Sequence, residues 1–268
     1  MDQCKRKLLY VHMRSPKWQR RAASRCALHP CVLPSFDVPV YPFVMTTDIE
    51  RFVAAPFIKE IGRGVKGARS MTRDDAHRLY AAILEGRVSD LELGAILLAM
   101  RIKGESVDEL AGFMDAASTA FTPLPAPRGE FAPVSIPTYN GSRKLANLTP
   151  LLALLLAREG VPVLVHGVSN DPGRVTTAEI LHELGVTDAT TGAEVHNEFV
   201  HGRVAFMPIE HLAPELARML ALRRVLGVRN STHTIVKILQ PFDGPALRLV
   251  SYTHPEYLTT LGEYFEGV

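Results

Sequence analysis

Two kinds of group in this chain could handle phosphate: cationic side chains set in loops, and polar residues placed just ahead of an apolar helix. The cations fall in clusters, at Arg63, Lys66 and Arg69, at Arg143 and Lys144, at Arg174, and at Arg223, Arg224, Arg229 and Lys237. Each can donate to phosphate oxygens, and a fold that gathered them would offer a track to a nucleic-acid backbone. Thr176 and Thr177 follow Arg174, so that loop can add hydroxyl donors, although a single arginine in a turn is commonly a solvated charge. Asn147 and Thr149 precede a strongly apolar run whose first-turn amides suit an anion; plain helix capping reads equally well. His166 has no carboxylate or nucleophile near it in sequence and reads as a packed residue at a strand end rather than a base. Tyr139 and Phe242 could stack on bases, or simply pack.

The elements that must position these groups divide in two. Over residues 48 to 121 the period is helical. A first helix is expected over about 48 to 61, and three more start where Thr72 precedes Asp75, Ser89 precedes Glu92 and Ser106 precedes Glu109, a short hydroxyl three residues ahead of a carboxylate. After these starts Leu79, Ile83 and Leu84, then Leu93, Ile96, Leu97 and Met100, then Leu110, Phe113 and Met114 give each helix one apolar face. Gly62, Gly64 and Gly67, interleaved with Arg63, Lys66 and Arg69, separate the first helix from the second, as a turn with solvated charges or as a phosphate-contacting loop.

Residues 122–133 are rich in proline and cannot continue a helix; they are expected to hold two units apart, a helical domain over 45–121 and an α/β domain over 134–268. Beyond them Val134 to Ile136 reads as a strand, Leu148 to Arg158 as a helix and Val161 to Val165 as a buried parallel strand, one βαβ unit. A helix over about Thr176 to Leu184 and a strand over Val204 to Met207 continue the alternation expected of a parallel sheet with helices on both faces.

Composition sets the outer limits. At 268 residues and 47% hydrophobic the chain can bury a substantial core. Its longest apolar run is broken at Arg158 and Glu159, far short of the ~20 residues of a membrane span, so no membrane role is expected. The net charge of +2 conceals an uneven distribution: residues 1–44 hold eight Lys/Arg against two Asp, and the remainder holds 22 basic against 26 acidic residues. The opening segment also holds all three cysteines and the only tryptophan. It reads either as a basic nucleic-acid-binding arm or as a disordered or mis-called extension ahead of an initiator at Met45. Cysteines this unevenly spaced suggest neither a zinc site nor a disulfide framework, and a cysteine-free remainder fits the cytoplasm.

The stretches Ile58 to Gly64 and Leu84 to Ser106 resemble the helical N-terminal domain of glycosyltransferase family 3, which anthranilate phosphoribosyltransferase shares with the pyrimidine nucleoside phosphorylases. Pro137 to Thr149 and Val165 to Ser169 resemble more closely the YbiB-type relatives of that transferase. The resemblance runs from about residue 50 to the end. It implies a nucleic-acid-binding protein, a homodimer through the helical domain, with no cofactor and no demonstrated transfer chemistry, and the phosphate backbone is expected to lie in the interdomain cleft with little sequence preference. The alternative it leaves open is a family enzyme that transfers phosphoribosyl or phosphorolyses nucleosides, with magnesium and phosphoribosyl pyrophosphate at the site.

The departures from the enzyme can be placed residue by residue. Where the transferases carry Gly-Thr-Gly-Gly-Asp around pyrophosphate, this chain reads Pro137, Thr138, Tyr139, Asn140 and Gly141; only Thr138 matches, and the side chains of Tyr139 and Asn140 are expected to obstruct the approach of backbone amides to phosphate. Asn147 and Thr149 match an enzyme Asn-x-Ser/Thr. His166 and Gly167 match a Lys-His-Gly-Asn-Arg-Ser whose last three residues are replaced by Val168, Ser169 and Asn170. Arg174 falls where the enzymes keep a basic residue near phosphate, and Arg223 aligns with the arginine that binds anthranilate, followed by Gly227, Val228 and Arg229. His233 and Lys237 then stand where the enzymes have Asn and the Pro of a Gly-Pro, so a rebuilt pocket is expected. The family's acidic pair for its second magnesium lies beyond the segment resembled by Val250 to Glu256, and the α/β domain is therefore expected to be incomplete relative to the family. The resemblance thus implies a phosphate-binding set of Thr138, Arg143, Lys144, Asn147, Thr149, Arg174, Thr176, Thr177, Arg223 and Arg229, with Arg63, Lys66 and Arg69 as a secondary basic loop.

Overall fold

A computed structural model describes residues 9–12, 50–64, 66–252 and 255–267. Four helices come first: α1 (Ala55–Ile61), α2 (Arg73–Leu84), α3 (Asp90–Lys103) and α4 (Val107–Thr119). Three begin at the expected residues. Ser89 and Ser106 form reciprocal capping boxes with Glu92 and Glu109, while Thr72 accepts from the Asp75 amide without the return bond. The first starts later than its period suggests, at Ala55, because Pro56 lacks an amide hydrogen and fits only the opening turn. Helices α2 and α4 pack so closely that a Cβ at Gly112 would lie 2.2 Å from the Arg73 carbonyl oxygen. That position has room only for glycine.

The α/β part follows with β2 (Val134–Thr138), α5 (Thr149–Arg158), β3 (Val163–Gly167), α6 (Thr177–Glu183), α7 (Gly192–Val200) and β4 (Ala205–Pro208). Four helices come next, α8 (Ile209–Leu212), α9 (Pro214–Ala221), α10 (Arg223–Leu226) and α11 (Thr232–Ile238), then β5 (Leu247–Tyr252) and α12 (Glu256–Glu266). All strand pairs are parallel, in the order β5-β2-β3-β4. Leu9–His12, named β1, adds a parallel fifth strand on the free edge of β5. The rest of residues 1–44, on which the reading of a basic arm or extension rests, lies outside the described residues, as does Met45.

Alternation along the strands sorts side chains between two faces. Val134, Ile136, Val163, Val165, Val204 and Phe206 pack with Ala153 and Ala157 of α5 and Ala178 and Leu181 of α6. On the opposite face Leu164, Ala205, Met207 and Val250 belong to one continuous core with Leu79, Ile96, Leu110 and Phe113 of the helical unit. The proline-rich segment therefore does not hold two units apart. Leu124 is itself pinned to the α/β part, its amide donating to the Pro241 carbonyl at 2.8 Å and its carbonyl accepting from Asp243 at 3.0 Å. Across the junction the Tyr80 hydroxyl meets that of Thr232 at 2.7 Å, and Arg218 donates to the Ile83 and Leu84 carbonyls at the end of α2. No described helix is long and apolar enough to cross a membrane.

Candidate nucleic-acid interface

The site forms at the carboxyl ends of β2 and β3, where ligands commonly bind in open parallel sheets. Their last residues, Thr138 and Gly167, are partners in register, and a Cβ at Gly167 would lie 2.0 Å from the Thr138 carbonyl oxygen. The loops leaving these strands then pair with each other: the Ser142 amide donates to the Val175 carbonyl at 2.8 Å and the Val175 amide returns a bond at 3.0 Å. Gly141 is required by that pairing, since a Cβ there would sit 2.6 Å from the Val175 carbonyl oxygen. Its role is to bring two loops together.

The pairing draws the expected hydroxyls inward. Thr138 and Thr177 share a hydrogen bond of 2.5 Å between their hydroxyls, and Asn147 donates to the Thr177 oxygen at 3.0 Å. Thr176 caps α6, accepting from the Glu179 amide, and donates to the Ser169 carbonyl at 3.0 Å. Thr138, Thr176 and Thr177 are all buried. Expected as ligand donors, they instead fasten the two loops, because buried hydroxyls satisfy one another rather than face solvent. Asn147 also accepts from the Thr149 amide at 3.2 Å, which realises the capping reading of that pair.

The cations behave differently. Arg174 and Arg223 flank Asp171 at 3.9 and 3.6 Å, and Arg174 donates to the Gly141 carbonyl at 3.1 Å. Arg224 reaches the Asn170 side chain at 3.4 Å, and Arg229 hydrogen-bonds the Asn140 side-chain oxygen. An open groove runs past these loops, lined by Ser142, Arg143, the turn from Asn170 to Val175, and Glu179. Arg143 and its neighbour Lys144 are exposed at the rim and make no polar contact among the described residues. One carboxylate, Asp171, thus serves two arginines while the rim cations have none. Burial, and then the neighbouring Arg223, Arg174 and Arg101, lower the proton affinity of Arg229, as expected where positive charge accumulates. The Asp-Pro-Gly turn at 171–173 that carries Asp171 has a sequence signature, and its hold on Arg223, far along the chain, is the part that sequence reasoning misses.

The groove's walls come from the α/β part alone. The secondary basic loop closes on itself instead, Arg63 pairing with Glu60 at 2.6 Å and Arg69 with the same carboxylate at 4.0 Å, while Lys66 is exposed. Tyr139 and Phe242 take the packing alternative. Both are buried, Phe242 against Phe199, and neither presents a ring for stacking. Tyr139 points away from the groove and its hydroxyl contacts His166 Nδ1 at 2.8 Å, so it does not obstruct the loop as its size suggests. His166 Nε2 contacts the Ser135 hydroxyl at 3.1 Å, and complete burial drives the ring's pKa down to about 3. This histidine is a neutral, fully partnered core residue.

The carboxylates of the groove do not fit a magnesium-pyrophosphate complex as they stand, because Glu179 is committed to the α6 cap and Asp171 to two arginines. In the loop after β2 the Ser142 amide is taken up by the Val175 carbonyl.

A helical bundle followed by a parallel α/β sheet is an anthranilate phosphoribosyltransferase-like architecture. Residues 55–119 match the glycosyl transferase family helical bundle domain. The chain is 48% identical over 212 residues to the uncharacterized protein YbiB of Escherichia coli (strain K12), covering 79% of this chain and 66% of that protein. It is 31% identical over 186 residues to an anthranilate phosphoribosyltransferase of Methylocella silvestris, covering 69% of this chain and 51% of the relative. Among solved structures it matches the anthranilate phosphoribosyltransferase of Thermus thermophilus with a TM-score of 0.63 at 24% identity, over 78% of this chain and 62% of the other. The chain belongs to the anthranilate phosphoribosyltransferase-like group of glycosyltransferase family 3. It spans between about half and two thirds of the length of these relatives.

Proposed function

We propose that this chain is a YbiB-type nucleic-acid-binding protein that holds the phosphate backbone, with little sequence preference, along the groove at the ends of β2 and β3. The observation that carries this reading is the unpaired rim: Arg143 and Lys144 lie exposed beside a groove whose inner arginine, Arg174, is fixed by Asp171 and the Gly141 carbonyl, with Arg223 held on the same carboxylate. Fixed guanidinium groups donate to phosphate without first being ordered, and exposed rim cations contribute counterion release. The groove offers arginines and a backbone turn, groups suited to phosphate, so affinity should depend on charge rather than sequence. Fluorescence anisotropy of single-stranded DNA tests this in the full chain. Arg143→Ala/Lys144→Ala should weaken binding alike for unrelated oligonucleotides and lower the slope of log affinity against log salt by roughly 1.4, about 0.7 for each phosphate that is no longer neutralised. Unchanged affinity and slope would remove the groove from the reading. Magnesium-dependent release of pyrophosphate from phosphoribosyl pyrophosphate, with any acceptor, would replace it by the transferase alternative.

The same proposal includes a homodimer through the helical unit. Leu91, Leu98 and Ile102 are spaced to share one face of α3 and are 86%, 50% and 58% exposed, an apolar stripe suited to a second copy of itself. Light scattering should give twice the chain mass for the native protein and a single chain mass for Leu98→Glu/Ile102→Glu. A native monomer at micromolar concentration would end the dimer proposal.

A further inference from the structure

Beyond Arg229 lies a second, more enclosed cavity of about 330 Å³, with walls from the end of α3, from α11, from the end of β5 and from α12. Four basic side chains line it: Arg101 from the helical unit, and Arg229, His233 and Lys237 from the α/β part. His233 and Lys237 are four residues apart on α11 and therefore share its cavity-facing side. They are also two of the positions at which this chain departs from the enzyme pattern.

The charge in this cavity is not balanced. Among the described residues Glu105 is the one acidic side chain in its wall. Among the described residues neither Arg101 nor Lys237 forms an ion pair, and the side chain of Arg229 bonds only Asn140. Burial, followed by repulsion from Arg229, brings the Lys237 ammonium down to about 8. Burial and the same arginine bring His233 to about 4, which leaves it neutral near pH 7 and able to accept or donate one hydrogen bond. Partly buried cations crowded without counter-charge are costly unless something negative joins them. The rest of the wall is mixed, with Tyr257, Met100 and Leu261 offering apolar contact and Thr234 and Ser251 offering hydroxyls.

We propose that this cavity binds a small phosphorylated ligand of nucleoside-monophosphate size, with its phosphate held by Arg101, Arg229 and Lys237. Guanidinium and ammonium groups make charge-assisted hydrogen bonds to phosphate oxygens, and the apolar and aromatic side of the cavity receives the remainder of the molecule. The volume falls at the lower end of ligand pockets, enough for one such molecule and too small for a continuous strand. The site is thus separate from the groove, with Arg229 lying between the two.

Titration calorimetry of the full chain with adenosine 5′-monophosphate, inorganic phosphate and adenosine tests the proposal. The monophosphate should bind, and adenosine should bind about ten-fold more weakly or worse, because the phosphate supplies the charge that the cavity lacks. Arg101→Gln, at an exposed helix end where folding is not at stake, and Lys237→Gln should each weaken the monophosphate about ten-fold. Arg143→Ala/Lys144→Ala should bind it as the native protein does. The proposal is overturned by absence of monophosphate and phosphate binding at millimolar concentration. It is equally overturned if the groove variant loses the monophosphate while Arg101→Gln and Lys237→Gln retain it. Failure of the nucleic-acid reading would show separately, in the anisotropy measurement.

Discussion

Replacing Glu109 with Ala is expected to destabilise the protein by about 3 to 5 kcal/mol, the usual cost of removing one partner from a buried charge pair. Glu109 is completely buried at the start of α4. One carboxylate oxygen accepts from the Met71 amide at 2.9 Å, and the other accepts from the Ser106 amide at 2.8 Å and from the Lys103 ammonium at 2.6 Å. Lys103 is 9% exposed at its side chain and its remaining contact is the Gly104 carbonyl at 2.7 Å. The Ala variant would strand an ammonium and two backbone donors in the helical core. Glu109→Gln keeps an oxygen and loses the charge, so its cost should be smaller. Urea unfolding near neutral pH measures both, and a loss below about 1 kcal/mol for the Ala variant would show that water replaces the carboxylate there.

Acidification is the second large lever, acting through His166. The folded protein holds this ring at about 3, well below its ordinary 6.5, because complete burial penalises the charged form. The unfolded chain therefore binds the proton more readily, and stability falls as pH is lowered from about 6.5 towards about 3. Between neutral pH and about pH 4.5 the loss amounts to roughly 2 to 3 kcal/mol from this residue. His233, lowered to about 4 by burial, contributes in the same direction. His166→Gln should be less stable than the native protein near neutral pH, yet lose distinctly less on acidification, with His233 and the carboxylates held low by hydrogen bonds, Glu92 and Glu198 among them, supplying the remaining slope. Parallel pH dependences for the two proteins would mean that the histidine is not held neutral. The same network is why this residue performs no proton transfer: both ring nitrogens already have partners, Tyr139 and Ser135, inside the core.

Much of the architecture was legible because its signals are local. The hydroxyl-carboxylate pairs at Ser89 and Ser106 begin helices wherever they occur before an apolar period, since the donors they satisfy lie within one turn. The run β2, α5, β3 was legible for a similar reason, with each element identified by its own period and bounded by residues that interrupt it. Thr191 and Glu194 cap α7 with the same signature, yet its single buried residue, Val195, leaves no apolar stripe to draw attention to it. The short helices α8, α10 and α11 lack even a side-chain cap.

From the sequence alone came the family, the helical bundle and βαβ plan, and the exchange of the pyrophosphate-loop glycines and aspartate for other residues, because each is carried by neighbours along the chain. Which side chains face the groove was decided only in three dimensions. Thr138, Thr176 and Thr177 looked like donors and became internal fastenings, Tyr139 looked like an obstruction and became the partner of His166, and Asp171 emerged as the anchor for Arg174 and Arg223. The physical reason is that a side chain's availability depends on what the fold places against it, and here the two loops were brought together by strand register and by glycines with no room for a Cβ.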